Sequence, residues 1–180
     1  MKGIGHRRKT KTIFVGNVPV GGNAPLVVQS MTCTDTRDVR ATVTQIRELE
    51  EAGCELIRVA VSDAEAAEAL GTIKKRISIP LIADIHFNFR LALEAIRQGA
   101  DGIRINPGNM KREGLRRIVA AAASAGAAIR IGINAGSLEK DILRKHGRPT
   151  AAALVESALR SLAFFEAMGA KSLKLSIKSS

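Results

Sequence analysis

An α/β fold, a parallel barrel of the (β/α)8 TIM type, is what this sequence predicts, and three observations predict it. Apolar, β-branched runs alternate with segments of helical period, six times along the chain. No G-x-G-x-x-G turn follows the first run, where an open doubly wound sheet would carry a nucleotide site; QSMTCTDT stands there instead. Polar residues recur toward the carboxyl ends of the runs, the end at which a barrel opens its site.

The amino terminus, MKGIGHRRKTK, is polar and basic. TIFVGNVPVGGNAP then alternates apolar residues and breaks at Gly21 and Gly22, which predicts a short amino-terminal β-hairpin ahead of the barrel. Leader and hairpin take residues 1–25 and the barrel portion takes 26–180. The runs that read as strands are LVVQSMT from Leu26, ELIRVAV from Glu55, PLIADIHF from Pro80, GIRINPG from Gly102, AIRIGINAG from Ala128 and SLKLSIKSS from Ser172. After the first, Thr36 to Ala52 places Val39, Val43, Ile46 and Leu49 on one stripe, and Gly53 ends the helix. Ser62 or Asp63 caps AEAAEALGTIKKR, and Asn88 caps FRLALEAIRQ, which stops at Gly99. GSLEKDILRKHGRPT, from Gly136, is longer than the sister connections and rich in charge, so it reads as a solvated loop or a lid at the mouth. A complete barrel takes about 200 to 250 residues. With about six units, the expectation is an incomplete barrel, a fragment or a chain completed by something else.

Composition narrows the function classes. At 46% hydrophobic, 180 residues bury one sizeable core. No stretch approaches the roughly 20 apolar residues of a membrane span, and the leader lacks an apolar signal core, so a cytoplasmic protein without membrane contact is expected. Cys33 and Cys54 form no C-x-x-C pattern and encode neither a disulfide framework nor a metal site; Cys33 reads as a quiet thiol and Cys54 as core. A net charge of +11 attracts anions. Nucleic acid is disfavoured among them: without Tyr or Trp, at 3% aromatic residues, there are few platforms for stacking bases.

Both faces of a barrel strand are covered, so an ionised residue inside one is costly unless it points into the open mouth. Parity places several there. Asp84 and His86 are two apart, as are Arg104 and Asn106; Arg130 and Asn134 are four apart; Lys174, Ser176 and Lys178 share one face. Arg58 holds the corresponding place in IRVAV. Arg58, Arg104, Arg130 and Lys178 thus bring four cations to one mouth against one carboxylate, Asp84, an excess that suits a doubly charged phosphate ligand. A lone strand arginine is more often a salt-bridged rim residue; its repetition over consecutive units favours a site. Asp84 is spaced to orient the His86 imidazole or share a substrate hydroxyl with it. Asn106 and Asn134 either position substrate or terminate strands before Pro107 and Gly136. The basic runs at 74–76 and 116–117 read as solvent-facing helix surface.

The strings VQSMT, ADIHF and GIRINPGN, with IRIGINAGSL and LKLSIKSS, resemble the 4-hydroxy-3-methylbut-2-en-1-yl diphosphate synthases of non-mevalonate isoprenoid biosynthesis, over nearly the whole chain. The resemblance implies a two-domain iron-sulfur oxidoreductase that opens 2-C-methyl-D-erythritol 2,4-cyclodiphosphate with two electrons from ferredoxin or flavodoxin. It implies a 4Fe-4S cluster on a separate carboxyl-terminal domain absent from this sequence, and a homodimer with each active site between one barrel and the partner's cluster domain. It also implies that Arg58, Arg104, Arg130 and Lys178 hold the diphosphate, that Asn106 and Asn134 contact substrate, and that Asp84 and His86 line the pocket as the catalytic pair. On this reading the barrel portion binds no cluster and is inert alone, and the basic surface, Lys74, Lys75 and Arg76 included, is a candidate dock for the acidic electron donor. A different phosphate-binding barrel, similar in layout to dihydropteroate synthase, is the alternative.

Overall fold

The computed structural model describes residues 9–179; the first eight residues of the basic leader and Ser180 lie outside the described residues. The predicted hairpin is present as β1 (Ile13–Val15) and β2 (Val18–Val20), paired antiparallel. Its turn falls at Gly16–Asn17, and Gly16 takes φ 57°, the positive φ that a two-residue hairpin loop demands at its first position.

Then follow β3 (Gln29–Met31), α1 (Val39–Glu51), β4 (Leu56–Ala60), α2 (Ala64–Lys74), β5 (Leu81–Ile85), α3 (Phe89–Arg97), β6 (Gly102–Ile105), α4 (Arg112–Ala125), β7 (Ala128–Asn134), α5 (Lys140–His146), α6 (Ala151–Ala167) and β8 (Leu173–Lys178). The six strands after the hairpin form one curled parallel sheet in sequence order, β3 to β8. Four of the six α-helices start at side-chain caps. Asp38 accepts from Ala41 N, Asp63 from Ala66 N, Asn88 from Arg90 N and Thr150 from Ala153 N.

Four expectations need correction. The first strand is three residues, not seven, and Leu26 is left exposed. α1 begins at Val39 instead of Thr36, because the Thr36 hydroxyl donates to the Ala60 carbonyl and holds that residue outside the helix. Lys74 is no free solvent cation: it ion-pairs with Asp101, whose Oδ2 also accepts from Leu81 N. The charged stretch after Gly136 is no open loop. It folds into α5, anchored by fully buried Ile142, by ion pairs from Lys145 to Glu156 and from Arg160 to Asp141, and by a hydrogen bond between His146 and Glu156.

The register sorts every strand into two faces. Ile57, Val59, Leu81, Ala83, Ile85, Ile103, Ile105, Ile129, Ile131 and Ile133 point outward and form one core with Ile46, Leu70, Ile73, Ile96, Ile118, Leu154 and Phe165 of the helices. At about 25 cal/mol per Å² of apolar surface, this layer is the main source of stability. The inward face begins with Leu56, Ile82 and Ala128, packed against Val15 of the hairpin. Gly102 lies in the same row, where a Cβ would already stand 3.5 Å from Val15 Cγ1. The hairpin therefore plugs the amino-terminal end of the sheet's concave side and leaves it open at the carboxyl ends.

Candidate substrate site

Above that apolar floor the inward face turns cationic. Ala60, Asp84, Arg104, Arg130 and Lys174 stand in one register row across β4 to β8, and Arg58 lies one inward position lower on β4. Asp84 is 4% exposed and Arg104 9%, so this is a buried charge cluster. Arg104 Nη1 donates to Asp84 Oδ1 at 3.1 Å. Arg58 Nε lies 3.5 Å from Asp84 Oδ2, near enough for charge attraction but not aligned for a hydrogen bond. Arg130 donates to Gln29 Oε1 at 3.2 Å and to Ser176 Oγ at 2.8 Å.

One carboxylate cannot satisfy this set. Arg58 Nε and Arg130 Nε are buried and find no hydrogen-bond partner among the described residues. A buried donor left unpaired costs about 1–3 kcal/mol, and an acceptor-rich anion in the cup removes that cost. Burial lowers the pKa of Arg130, with Arg58 and Arg104 pushing the same way and Asp84 opposing. Lys174 is lowered by burial, then by Arg130 and Arg58. Both shifts express the strain of like charges in a place with little water.

Arg104 reaches its place through a gap. A Cβ on Gly132 would lie 2.6 Å from Arg104 Nε and 2.9 Å from its Cζ, so only glycine on β7 lets the guanidinium cross. At the rim, Asn106 Oδ1 accepts from Gly108 N at 3.1 Å and its Nδ2 donates to Ser137 Oγ at 2.6 Å. The Asn134 side-chain oxygen, turned to satisfy its neighbours, accepts from Arg104 Nη2 at 3.3 Å. His86 Nε2 lies 3.6 Å from Asp84 Oδ1, with more than half of its side chain exposed.

The residues match the GcpE TIM-barrel domain model over 10–180. The chain belongs to the GcpE family. Curated relatives named 4-hydroxy-3-methylbut-2-en-1-yl diphosphate synthase (flavodoxin) are 56% identical in Anoxybacillus flavithermus, over all of this chain and 50% of that protein. In Pseudomonas putida the figure is 55%, over 97% of this chain and 47% of the relative. The chain thus spans about half the length of the curated relatives it matches. Among solved structures, Yersinia pestis dihydropteroate synthase in a sulfonamide complex aligns with TM-score 0.65 at 13% identity, covering 94% of this chain and 68% of that one. The enzyme from Xanthomonas albilineans with 4-aminobenzoic acid aligns at 0.62 and 15%, covering 94% and 68%. At such identities the likeness is one of fold.

Within this GcpE barrel, Asp84, Arg58, Arg104, Arg130, Asn106 and Asn134 converge as the sequence predicts. Lys178 shares their face, in register with Asn134, but is exposed. Sequence reasoning missed Gln29, Gly132 and Ser137 as members of the site, and it placed Lys174 on the inward face but left it out of the cation set. Lys174 carried a usable signal: it is four residues before Lys178 and so on the same face. Gln29 carried none, since it meets Arg130 across 101 positions of sequence. For an iron-sulfur cluster the residues do not fit: among the described residues no three His, Cys, Asp or Glu side chains form a metal-holding group. Of the two free cysteines, Cys33 is exposed and Cys54 buried.

Proposed function

We propose that this chain is the diphosphate-holding barrel of a 4-hydroxy-3-methylbut-2-en-1-yl diphosphate synthase. The whole enzyme reductively opens 2-C-methyl-D-erythritol 2,4-cyclodiphosphate in non-mevalonate isoprenoid biosynthesis. The observation that carries the reading is the cup itself: Arg58, Arg104, Arg130 and Lys174 around one carboxylate, with two buried guanidinium N–H groups awaiting acceptors. The family and the names of its relatives support it.

In this reading Arg58, Arg104 and Arg130 grip the diphosphate by forked hydrogen bonds, while Lys174 and Lys178 add point charge. Asn106 and Asn134 direct the polar groups of the substrate at the rim. Asp84 keeps Arg104 aimed, and His86 stands over the mouth at the reacting end. The 4Fe-4S cluster that supplies the reductive chemistry belongs to a domain beyond residues 26–180, and its electrons come from flavodoxin or ferredoxin. Cytoplasmic location, a homodimer with each site completed by the partner subunit, and an isolated barrel that binds without turning over belong to the same proposal.

Calorimetric titration of the purified chain with the cyclic diphosphate tests it, beside Arg104→Ala and a salt series. Binding that Arg104→Ala weakens about 50- to 100-fold is expected for loss of paired charge-assisted hydrogen bonds. Equal binding by both proteins, or affinity that disappears into a steep salt dependence, overturns it.

A further inference from the structure

We propose that Ser137 is a positioning residue for the ligand, joining the loops that follow β6 and β7 and fixing the direction in which Asn106 presents its amide. The proposal rests on the diphosphate reading of the cup and concerns a residue outside the cup's charged set.

Asn106 is 3% exposed, so its polar atoms must be satisfied inside the protein. Its Oδ1 is committed to Gly108 N. Its Nδ2 carries two protons; one goes to Ser137 Oγ at 2.6 Å, and the second finds no acceptor among the described residues. By taking one proton, Ser137 sets the plane of the amide and therefore where the other points. The Ser137 hydroxyl is itself oriented, because it donates to the Asn134 carbonyl at 3.3 Å. A single hydroxyl thus couples the two strand-end asparagines that flank Arg104.

The two loops are in contact at a second place. Any side chain on Gly108 would strike the Ser137 carbonyl, so Gly108 lets the loops close together. The segment that follows Ser137 is held as well. Ser157 Oγ donates to Glu139 Oε2 at 2.7 Å, and the α5–α6 ion pairs hold the following helix. A rigidly held hydroxyl is what positioning requires: an amide free to swing would lose much of the orientation its ligand needs.

A double-mutant cycle on affinity separates positioning from simple loop stapling. The cyclic diphosphate is titrated into the wild-type chain, Ser137→Ala, Ser137→Thr, Asn106→Ala and the Ser137→Ala/Asn106→Ala double variant, with the thermal midpoint of each protein measured beside it. Ser137→Ala is expected to raise Kd about tenfold, the worth of one oriented hydrogen bond. Ser137→Thr, which keeps the hydroxyl, stays within about twofold of wild type, and the double variant is no weaker than Asn106→Ala alone. Additive losses, an affinity unchanged in Ser137→Ala, or a weakened affinity that Thr fails to restore overturns the positioning role alone. No binding by folded wild type, or an Asn106→Ala variant that binds as wild type does, overturns the site reading and the role of Ser137 with it.

Discussion

Along β7 two opposite environments share one strand. Ile129, Ile131 and Ile133 turn outward into the helices and are at most 3% exposed, whereas Arg130, Gly132 and Asn134 turn inward to the cup. The period of two that alternates side chains across a sheet lets a single segment build the core with one set and line the cup with the other. The outward set lowers free energy wherever it is buried. The inward set raises it, since buried like charges and unpaired donors are both unfavourable. Stability and binding are therefore separable by parity, and substitutions can be chosen to break one without the other.

The largest effect is expected on the outward face. Ile131 is fully buried, and Ile131→Ala should lower unfolding free energy by about 3–4 kcal/mol. Urea denaturation reads that loss, while the folded fraction should keep its diphosphate affinity. Asp84→Asn comes next: it strands Arg58 and Arg104 without their shared carboxylate, which costs roughly 3 kcal/mol. Because an anion can stand in for that carboxylate, part of the loss should return in millimolar pyrophosphate; a deficit indifferent to pyrophosphate would refute the cup as an anion site. Gly132→Ala tests the gap through which Arg104 passes, and displacing that guanidinium should weaken diphosphate binding about tenfold, measured by calorimetry.

The smallest effect is in the pH dependence. Lys174 has a folded-state pKa below its ordinary value because burial, Arg130 and Arg58 disfavour the charged form. The unfolded chain then binds more protons than the folded one between the two values, so stability rises with pH across that alkaline window. Comparing wild type with Lys174→Met between about pH 8 and 10 should show the rise in wild type and its absence in the variant. A wild-type curve no steeper than that of the variant would contradict the lowered value.

Much of this was readable in the chain. Helical stripes and caps such as Asn88 are local, and the parity of Arg104 with Asn106 follows from strand geometry alone. What stayed hidden was non-local or disguised. Gln29 meets Arg130 only because the sheet curls. Lys74 looked like solvent surface because its partner, Asp101, lies in another unit. α5 was masked by its own charge, since Asp141, Lys145 and His146 resemble a solvated run until Glu156 and Arg160 of α6 supply the facing partners. Ser137 was lost within that same run, and Lys174 was passed over in favour of Lys178, the more exposed of the two.

The hairpin beneath the cup has a consequence for anything designed to fit it. With Val15 seated against Leu56, Ile82 and Ala128, the cup is closed at its amino-terminal end. In the proposed reading a diphosphate head rests on the cationic row above that floor, and the rest of the ligand extends toward Asn106 and His86 at the rim. An inhibitor built on a diphosphate mimic therefore has one direction of growth, toward the rim, and every atom added at the head meets a wall.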